Sequence, residues 1–368
     1  MIAFVNGTLI TEDNEIKDHV LLVEDGKIVD IADSSNLPSH AVQIDINGQY
    51  LVPALIDLQI YGAGKYLFSA ELTTASLDSI SDTLVRSGTG TYLITLATNT
   101  LQVFEKAIEK VLECTHPALG GLHLEGPYFN PAKRGAHHLE LLRLPDYREI
   151  ENLIKKAKGV IKMMTIAPEL FSEDILKMMS DYGVVLSAGH SNATYSEAKK
   201  GFEKYISTAT HLYNAMPSLH HREPGLIAAI FDSPAIYASI IPDGIHVDYK
   251  MVDLAKRIMG DRLFLITDAV TETQKGLTHH IFAGDRYTLP DGTLSGSAIT
   301  LLQGVANMIK HTNTSRVEAF KMASAIPARV MSYADKGLLQ KGALADLLIF
   351  DENYKVLDVY KRGEQWKG

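Results

Sequence analysis

Six polar side chains stand at or just after the C-terminal ends of apolar runs that have the length and composition of β-strands. They are Gln59, Glu125, His190, His211, His246 and Asp268. Glutamate and histidine are ligands of catalytic divalent metals, and a carboxylate beside such a metal can move protons. A parallel β/α barrel holds its chemistry at the C-terminal ends of its strands. The pattern therefore predicts a metal-assisted hydrolase site on the rim of such a barrel.

Three of these residues form a ligand set of the size that a catalytic zinc site uses. Glu125, His190 and His211 follow Leu124, Gly189 and Thr210. Such a site has about three histidine or carboxylate ligands and one open position. Each residue alone could be a satisfied polar group near a strand end, but three at rim positions favour ligation. We predict one divalent metal per chain, with Zn²⁺ favoured and Fe²⁺ or another divalent ion as the alternative.

The first predicted strand lacks the His-x-His pair that many metal-dependent barrel hydrolases carry. Its end is Asp57-Leu58-Gln59-Ile60-Tyr61. A neutral amide and a phenol are poor ligands beside imidazole and carboxylate, so the sequence predicts one metal rather than two. Gln59 could orient the catalytic water or could simply pack inside the barrel, and the sequence leaves both interpretations open.

Asp268 is the candidate acid–base residue because it follows Thr267 at the end of the eighth predicted strand. Hydrolysis requires that the attacking water lose a proton and that the leaving nitrogen gain one. A single carboxylate beside the water can do both in turn. An aspartate here could instead cap the following loop. The rim position and the nearby two-histidine set favour the acid–base role.

Eight candidate strands separated by helical stretches predict an α/β fold, a (β/α)₈ TIM-like barrel. The strands are Ala54–Ile60, Thr91–Leu96, Gly121–Glu125, Lys162–Ile166, Val184–Ala188, Ser207–His211, Ile236–Ile241 and Leu263–Thr267. The helical stretches include Leu101–Cys114, Ser172–Asp181 and Asp248–Met259.

Both ends of the chain are rich in short strand-like segments. Ile2–Val5, His19–Glu24 and Lys27–Ile31 lie near the start, with a hairpin turn at Asp25-Gly26, and Ala345–Phe350 and Val356–Lys361 lie near the end. We therefore expect residues 1–52 and 337–368 to form one small β-sandwich domain beside a hydrolase barrel at residues 53–336.

Composition excludes several classes of partner. The 368 residues include 35 Lys and Arg against 44 Asp and Glu, a net charge of −9. Such an acidic chain is a poor partner for nucleic acid. No apolar run approaches the roughly 20 residues that span a bilayer, and the N-terminus lacks the features of a signal peptide. One cysteine permits no intrachain disulfide. We expect a cytoplasmic enzyme with no nucleic-acid or membrane partner.

An ordered series of motifs resembles the N-acetylglucosamine-6-phosphate deacetylases, a branch of the amidohydrolase superfamily. The motifs are Pro53–Asp57, His123–Pro127, Lys133–His137, Gly189–Ala193, His211–Pro217, Arg222–Gly225, Asp243–His246, Leu265–Ala269, Gly292–Ser297 and Lys341–Asp346. The resemblance implies hydrolysis of the acetamide of N-acetyl-D-glucosamine 6-phosphate to D-glucosamine 6-phosphate and acetate, in amino sugar catabolism or recycling.

The resemblance also assigns residues. It implies that Asp268 is the acid–base catalyst and that His137 polarises the acetamide carbonyl. The residues implied at the sugar phosphate are Ala136, His137, Asn214, Ala215, Arg222, Asp243, His246, Leu294, Ser295 and Gly296. It further implies a homodimer whose phosphate site lies near the interface, so that Arg222 or His246 serves the partner's substrate. Two departures are Tyr61, where relatives of the single-metal branch usually carry Asn, and the loop Val270–Gly276.

The same residues also bear on other possible functions. Deaminases of this class usually keep the His-x-His pair. Binuclear cyclic amidases need a lysine at the end of the fourth strand, whereas Lys162 stands at its start. A deacetylase for the galactosamine 6-phosphate epimer, or another mononuclear amidohydrolase, stays open. The remaining alternative is a catalytically silent barrel kept as a binding or scaffold protein.

Overall fold

A computed structural model describes residues 1–367 and places an eight-stranded parallel sheet at the centre of the chain. The strands neighbour one another in chain order. They are Leu55–Ile60, Thr89–Ala97, Leu119–Glu125, Ile161–Ile166, Val185–Ala188, Ile206–Ala209, Tyr237–Ile240 and Leu263–Leu265, called the first to eighth barrel strands. The first strand is buried at every position, as expected where helices cover a parallel sheet. The predicted (β/α)₈ architecture is confirmed.

Backbone hydrogen bonds join the first strand to the segment after the eighth and so complete the barrel at its C-terminal end. The Asp268 amide donates to the Gln59 carbonyl oxygen at 2.9 Å. The Tyr61 amide donates to the Ala269 carbonyl oxygen, also at 2.9 Å. This closure brings two polar rim positions from opposite ends of the barrel sequence next to each other.

Two of the predicted strands run two residues past their observed C-terminal ends. The sixth strand ends at Ala209 rather than His211, and the eighth ends at Leu265 rather than Thr267. His211 and Asp268 have φ values of 36° and 52°. A residue with positive φ cannot continue an extended strand, so pairing stops before each of them.

Among residues 1–367, ten α-helices surround the sheet. They are Thr74–Arg86, Leu101–Glu113, Tyr147–Ala157, Glu173–Asp181, Tyr195–Phe202, Gly225–Phe231, Tyr249–Met259, Leu301–His311, Arg316–Ala323 and Ala325–Val330. The three helices named from the sequence are present with ends shifted by one residue. Local capping fixes several starts, because Thr194 and Ser315 each form a capping box with the glutamate three residues later. Within the described residues, no helix has both the length and the apolar character needed to cross a membrane. The cytoplasmic location stays a prediction.

The two chain ends together form a pair of small sheets, as predicted. One consists, in spatial order, of Lys27–Asp33, His19–Glu24, Ile2–Val5 and Val42–Asp45. The other consists of Glu364–Gln365, Val356–Lys361, Leu347–Phe350, Tyr50–Pro53, Thr8–Ile10 and Glu15–Ile16. Phe4 and Leu21 from the first sheet share a buried apolar cluster with Leu51 and Leu347 from the second. The domain limits 1–52, 53–336 and 337–368 stay a prediction.

Two further small sheets lie around the C-terminal rim of the barrel. After the eighth strand, Ile281–Phe282, Arg286–Thr288 and Leu294–Ser297 form an antiparallel sheet. After the first strand, Gly62–Ala63 pairs with Tyr66–Leu67. The last strand of the first group is anchored to the rim, because the Ser297 amide donates to the Asp268 carbonyl oxygen at 3.1 Å.

Candidate active site and metal centre

Glu125, His190 and His211 bring three donor atoms together at the C-terminal end of the barrel. His211 Nε2 lies 3.0 Å from His190 Nε2 and 3.2 Å from Glu125 Oε1, and His190 Nε2 lies 3.5 Å from the same oxygen. With metal–ligand bonds of roughly 2.0–2.1 Å, tetrahedral ligand atoms lie about 3.3 Å apart. The observed spacing therefore fits one small divalent cation, and the donor types suit zinc or iron.

The backbone that carries these side chains is in an unusual conformation. His190, His211 and Asp268 have φ values of 48°, 36° and 52°, within the left-handed region. Tyr213 and Ala215, on the loop after the sixth strand, also lie there. Non-glycine residues adopt this region infrequently, and such residues cluster at active sites. The conformation turns the chain sharply at each strand end.

His190 is held as a neutral imidazole with one unprotonated ring nitrogen. Its Nδ1–H donates to the Lys133 carbonyl oxygen at 3.0 Å, which leaves Nε2 with a lone pair facing Glu125 and His211. Burial lowers the pKa of His190 to about 4. Glu169 steadies the following loop, because its carboxylate accepts from Ser191 Oγ at 2.6 Å. His190 is therefore in the protonation state that a metal ligand needs.

Glu125 is the central carboxylate of the site. Gln59 Nε2 donates to its Oε1 at 2.7 Å, and the Tyr61 hydroxyl donates to its Oε2. Burial opposes ionisation of Glu125, yet its contacts with the rings of His137, His190 and His211 hold its pKa well below the usual range. Glu125 is therefore a carboxylate at neutral pH.

His211 differs from His190 in the direction of its pKa shift. Burial favours the neutral imidazole, but the hydrogen bond to Glu125 and the charges of Glu125 and Asp268 outweigh it and raise the pKa of His211. Its Nδ1 is buried and has no hydrogen-bond partner among residues 1–367. The proton that His211 carries between Glu125 and His190 occupies the place where a cation would bind.

His137 is a fourth group at the centre, and its tautomer indicates a donor role. Glu125, His137 and His190 offer ligand atoms that all lie within 4.8 Å of one another. The Thr98 amide donates to His137 Nδ1 at 3.3 Å, and the Thr98 hydroxyl lies 2.8 Å from the same nitrogen. Nδ1 is therefore an acceptor, so Nε2 carries the proton. That N–H lies 3.2 Å from Glu125 Oε2 and can donate to a carbonyl oxygen placed there.

Asp268 faces the same centre from the end of the eighth strand. Its Oδ1 accepts a hydrogen bond from Gln59 Nε2 at 2.8 Å. Burial and the negative charge of Glu125 raise the pKa of Asp268 to about 7. A carboxylate whose pKa lies near neutrality is suited to take up and release a proton.

Asp57 and Thr267 hold the backbone beneath Asp268. Asp57 is fully buried, and its carboxylate accepts from the Thr267 hydroxyl at 2.6 Å and from the Thr267 amide at 3.3 Å. Burial raises the pKa of Asp57 to about 7. Asp57 joins the first strand to the eighth directly below the closure made by Gln59 and Asp268.

A cavity of about 180 Å³ opens above the predicted metal-ligand set. Besides Glu125, His190, His211 and Asp268, its walls include seven residues predicted to bind substrate or take part in catalysis. These are Ala136, His137, Asn214, Ala215, His246, Leu294 and Ser295. The structure thus brings together most of the set that the sequence placed at different rim positions.

Three predicted substrate residues lie outside the walls of this cavity. Arg222 is exposed on the loop after the sixth strand. Asp243 lies beneath His246, because its Oδ2 is 2.5 Å from His246 Nδ1 and orients the ring. Gly296 has a φ of 158°, and a Cβ built there would meet Val270 Cγ1 at 2.7 Å, so its backbone packs on that side chain.

Four supporting residues were not identified from the sequence. Thr98 sets the tautomer of His137, Lys133 fixes the ring of His190 through its carbonyl oxygen, and Glu169 and Asp57 hold rim loops. The position of Glu169 and Asp57 on or just after barrel strands was a usable signal. The role of Lys133 had no signal in the sequence, because every residue has a backbone carbonyl group.

Comparisons with known proteins agree with this geometry. The amidohydrolase family model matches residues 50–365, and the NagA composite domain matches residues 1–51. N-acetylglucosamine-6-phosphate deacetylase of Haemophilus influenzae is 32% identical over 99% of both chains. N-acetylgalactosamine-6-phosphate deacetylase of Shewanella is 33% identical over 85% of this chain and 82% of its own. The crystal structure of N-acetylglucosamine-6-phosphate deacetylase from Pasteurella multocida is 31% identical, covers all of both chains and superimposes with a TM-score of 0.95.

Proposed function

The chain belongs to the amidohydrolase family and is a metal-dependent hydrolase, and from that premise we propose that it deacetylates N-acetyl-D-glucosamine 6-phosphate to D-glucosamine 6-phosphate and acetate. One observation carries the proposal. Glu125, His190 and His211 converge within 3.0–3.5 Å in a cavity that Asp268 also lines. A silent barrel kept as a scaffold would have no need of this convergence.

Glu125, His190 and His211 would hold one divalent cation, for which we propose Zn²⁺. A cation bound there would lower the pKa of a water molecule and polarise a carbonyl. Gln59 and Tyr61 support the ligand set without adding a strong ligand, since an amide and a phenol contact Glu125 at the place where a His-x-His pair would stand. This supports one metal rather than two.

Asp268 performs the proton transfers in this proposal. As a carboxylate it takes a proton from the attacking water, and it then gives that proton to the nitrogen that leaves. Its hydrogen bond from Gln59 fixes one oxygen, so the other oxygen is the one that faces the reacting atoms. Gln59 is therefore a positioning residue that donates hydrogen bonds to both Asp268 and Glu125.

His137 binds the carbonyl oxygen of the acetamide. Because its Nδ1 accepts a hydrogen bond from the Thr98 amide, the ring proton lies on Nε2. A hydrogen bond from this donor stabilises the negative charge that grows on the carbonyl oxygen as water attacks.

The sugar phosphate would lie against His246, Asn214 and the Leu294–Ser295 segment, all of which line the cavity. Arg222 is exposed and lies away from the cavity walls of its own chain. This placement supports a homodimer in which Arg222 reaches the phosphate held by the partner subunit. Arginine suits this task because its planar fork matches a phosphate.

The galactosamine epimer is the second candidate substrate, since a deacetylase of that name is as similar to this chain as one for the glucosamine epimer. Acetate release should be measured with zinc-loaded protein on N-acetylglucosamine 6-phosphate, its galactosamine epimer and unphosphorylated N-acetylglucosamine. The proposal expects the highest kcat/KM on the first. A higher kcat/KM on the epimer would make the galactosamine compound the proposed substrate instead. No acetate release from any of the three compounds would refute the proposal.

A further inference from the structure

The interior of the barrel holds a chain of buried polar side chains beneath the predicted metal ligands. They are His123 on the third strand, Thr165 on the fourth, Ser187 on the fifth and Thr210 just after the sixth. None is more than 2% exposed. The interior layers of such barrels are mostly filled by bulky apolar side chains. Four polar groups in this place therefore have a role beyond filling space.

Hydrogen bonds link the four side chains in one direction. His123 Nδ1 donates to the Leu58 carbonyl oxygen at 2.9 Å, because a carbonyl can only accept. In a neutral ring Nε2 is then an acceptor, and it takes the proton of the Thr165 hydroxyl at 2.8 Å. Thr165 Oγ1 has no second proton, so it accepts from Thr210 Oγ1 at 2.7 Å, which in turn accepts from Ser187 Oγ at 2.5 Å. The Leu58 carbonyl thus orients every proton of the chain.

The chain touches the backbone that carries His190. A Cβ built on Gly189, the residue before His190, would lie 2.7 Å from Thr165 Cγ2 and 3.1 Å from Thr210 Cβ. Any larger residue would be forced away from these two threonines. The start of the turn that aims the His190 ring therefore lies directly on Thr165 and Thr210.

The chain also adjoins the other two predicted ligands. His123 and Glu125 are two residues apart on the third strand, so their side chains lie on the same face of the sheet. The amide after Glu125 donates to the Thr165 carbonyl oxygen at 3.2 Å. Thr210 directly precedes His211. One hydrogen-bonded chain thus runs beneath all three ligands.

We propose that His123 and the hydroxyl chain from Thr165 to Ser187 position the three metal ligands relative to one another. This inference rests on the metal centre of the proposed function. Hydrogen bonds in a buried chain polarise one another, so the strand ends that they join resist separate displacement. Loss of a group that orients a metal ligand typically lowers metal affinity about 10–100-fold. His123, Thr165 and Thr210 are positioning residues in this proposal, because they act through the ligands.

The experiment compares Thr165→Val, which keeps the shape and loses the hydroxyl, with Thr165→Ser, which keeps the hydroxyl and loses the methyl group. Zinc affinity of metal-free protein is measured by competition with a chromophoric chelator. Thr165→Val should bind zinc at least about tenfold more weakly than wild type, and Thr165→Ser should stay within about threefold. The visible absorption bands of cobalt(II) bound in place of zinc report ligand geometry. They should change in Thr165→Val and stay as in wild type in Thr165→Ser.

Thr208→Val is the matched control. Thr208 is buried on the sixth strand, and its Oγ1 has no hydrogen-bond partner among residues 1–367. Loss of this hydroxyl should leave zinc affinity and the cobalt bands unchanged. Thermal unfolding of the metal-free variants separates a loss of stability from a loss of ligand positioning. Thr210→Val breaks the same chain at the next hydroxyl and takes the place of Thr165→Val should that variant not fold.

Zinc affinity and cobalt bands as in wild type in both Thr165→Val and Thr210→Val would overturn the inference and leave the proposed function in place. Equal losses in Thr165→Ser and Thr165→Val would also overturn it, because the methyl group would then be the cause. An equal loss in Thr208→Val would do the same. A wild type that binds no divalent cation would refute the proposed function and this inference together. A wild type that binds zinc but releases no acetate would refute the proposed function alone.

Discussion

The side-chain amide nitrogen of Gln59 lies 2.8 Å from Oδ1 of Asp268, although the two residues are 209 positions apart in the chain. The same nitrogen lies 2.7 Å from Glu125 Oε1. One N–H can donate to each carboxylate, so Gln59 fixes the proposed base relative to a proposed metal ligand.

Replacement of Gln59 by leucine removes both donors and should lower kcat/KM about 10–100-fold, because hydrogen bonds to charged groups contribute about 1.5–3 kcal/mol. Metal content should stay near one equivalent by elemental analysis. Gln59→Glu, which adds a third carboxylate at nearly the same size, should be worse than Gln59→Leu. Activity of Gln59→Leu within twofold of wild type would mean that Gln59 only packs the barrel.

Asp268→Asn should fold, keep its metal and lose nearly all turnover. The amide keeps the size of the carboxylate but cannot accept the proton, and general base catalysis contributes about 10²–10⁴-fold. Steady-state kinetics with a parallel metal determination checks this. If kcat stayed above about a tenth of wild type, another group would be the base.

The pH dependence of kcat/KM should reflect the ionisation of Asp268. Because the base must be ionised, kcat/KM should fall about tenfold per pH unit on the acid side of its pKa. Burial and Glu125 raise this pKa to about 7, and the charge of a bound cation acts in the opposite direction. The acid limb should therefore lie at or below pH 7 in the zinc-loaded enzyme. Residual activity of Asp268→Asn should lack this limb, and an identical limb in the variant would assign it to another group.

Metal binding should release a proton from His211. The raised pKa of His211 keeps its ring protonated in the metal-free protein at pH 6, whereas burial leaves His190 neutral with a pKa of about 4. Titration calorimetry in buffers of different ionisation enthalpy should give about one proton from this ring per zinc ion. Asp268→Asn is the control, because it removes a neighbouring carboxyl group whose pKa is also near 7 and leaves the hydrogen bond to Glu125 that raises the pKa of His211. Proton-neutral binding by this variant at pH 6 would contradict the prediction.

Arg222→Ala should weaken phosphate recognition and leave the chemistry intact. Loss of a charge-assisted hydrogen bond should lower kcat/KM on the phosphorylated sugar at least about tenfold, mostly through KM. The unphosphorylated sugar should be almost unaffected. Equal losses on both would show a role in the fold.

Subunit mixing extends this test to the proposed homodimer. If Arg222 serves the partner's site, Arg222→Ala mixed with Asp268→Asn should regain activity, since one of the two mixed sites carries both native residues. The mixture must be incubated long enough for subunits to exchange, which differently tagged chains can report. Exchange without recovery would place Arg222 and Asp268 at the same site of one chain.

The sequence by itself determined the barrel and the rim positions of its polar residues. Apolar runs that end on Glu125, His190 or Asp268 can be read locally, and a parallel barrel gathers all strand ends on one face. The paired β-rich termini were predictable for the same reason, because strand and turn patterns are local. The exact strand ends were less predictable from the sequence, because the left-handed turns at His211 and Asp268 depend on hydrogen bonds at the rim.

Tertiary structure alone decided how the rim side chains meet. The sequence left Gln59 undecided between packing and function, and barrel closure then placed it between two carboxylates. The donor tautomer of His137 depends on Thr98, 39 positions away. These relationships arise from rotamers and loop positions that distant contacts fix, and no local pattern carries that information.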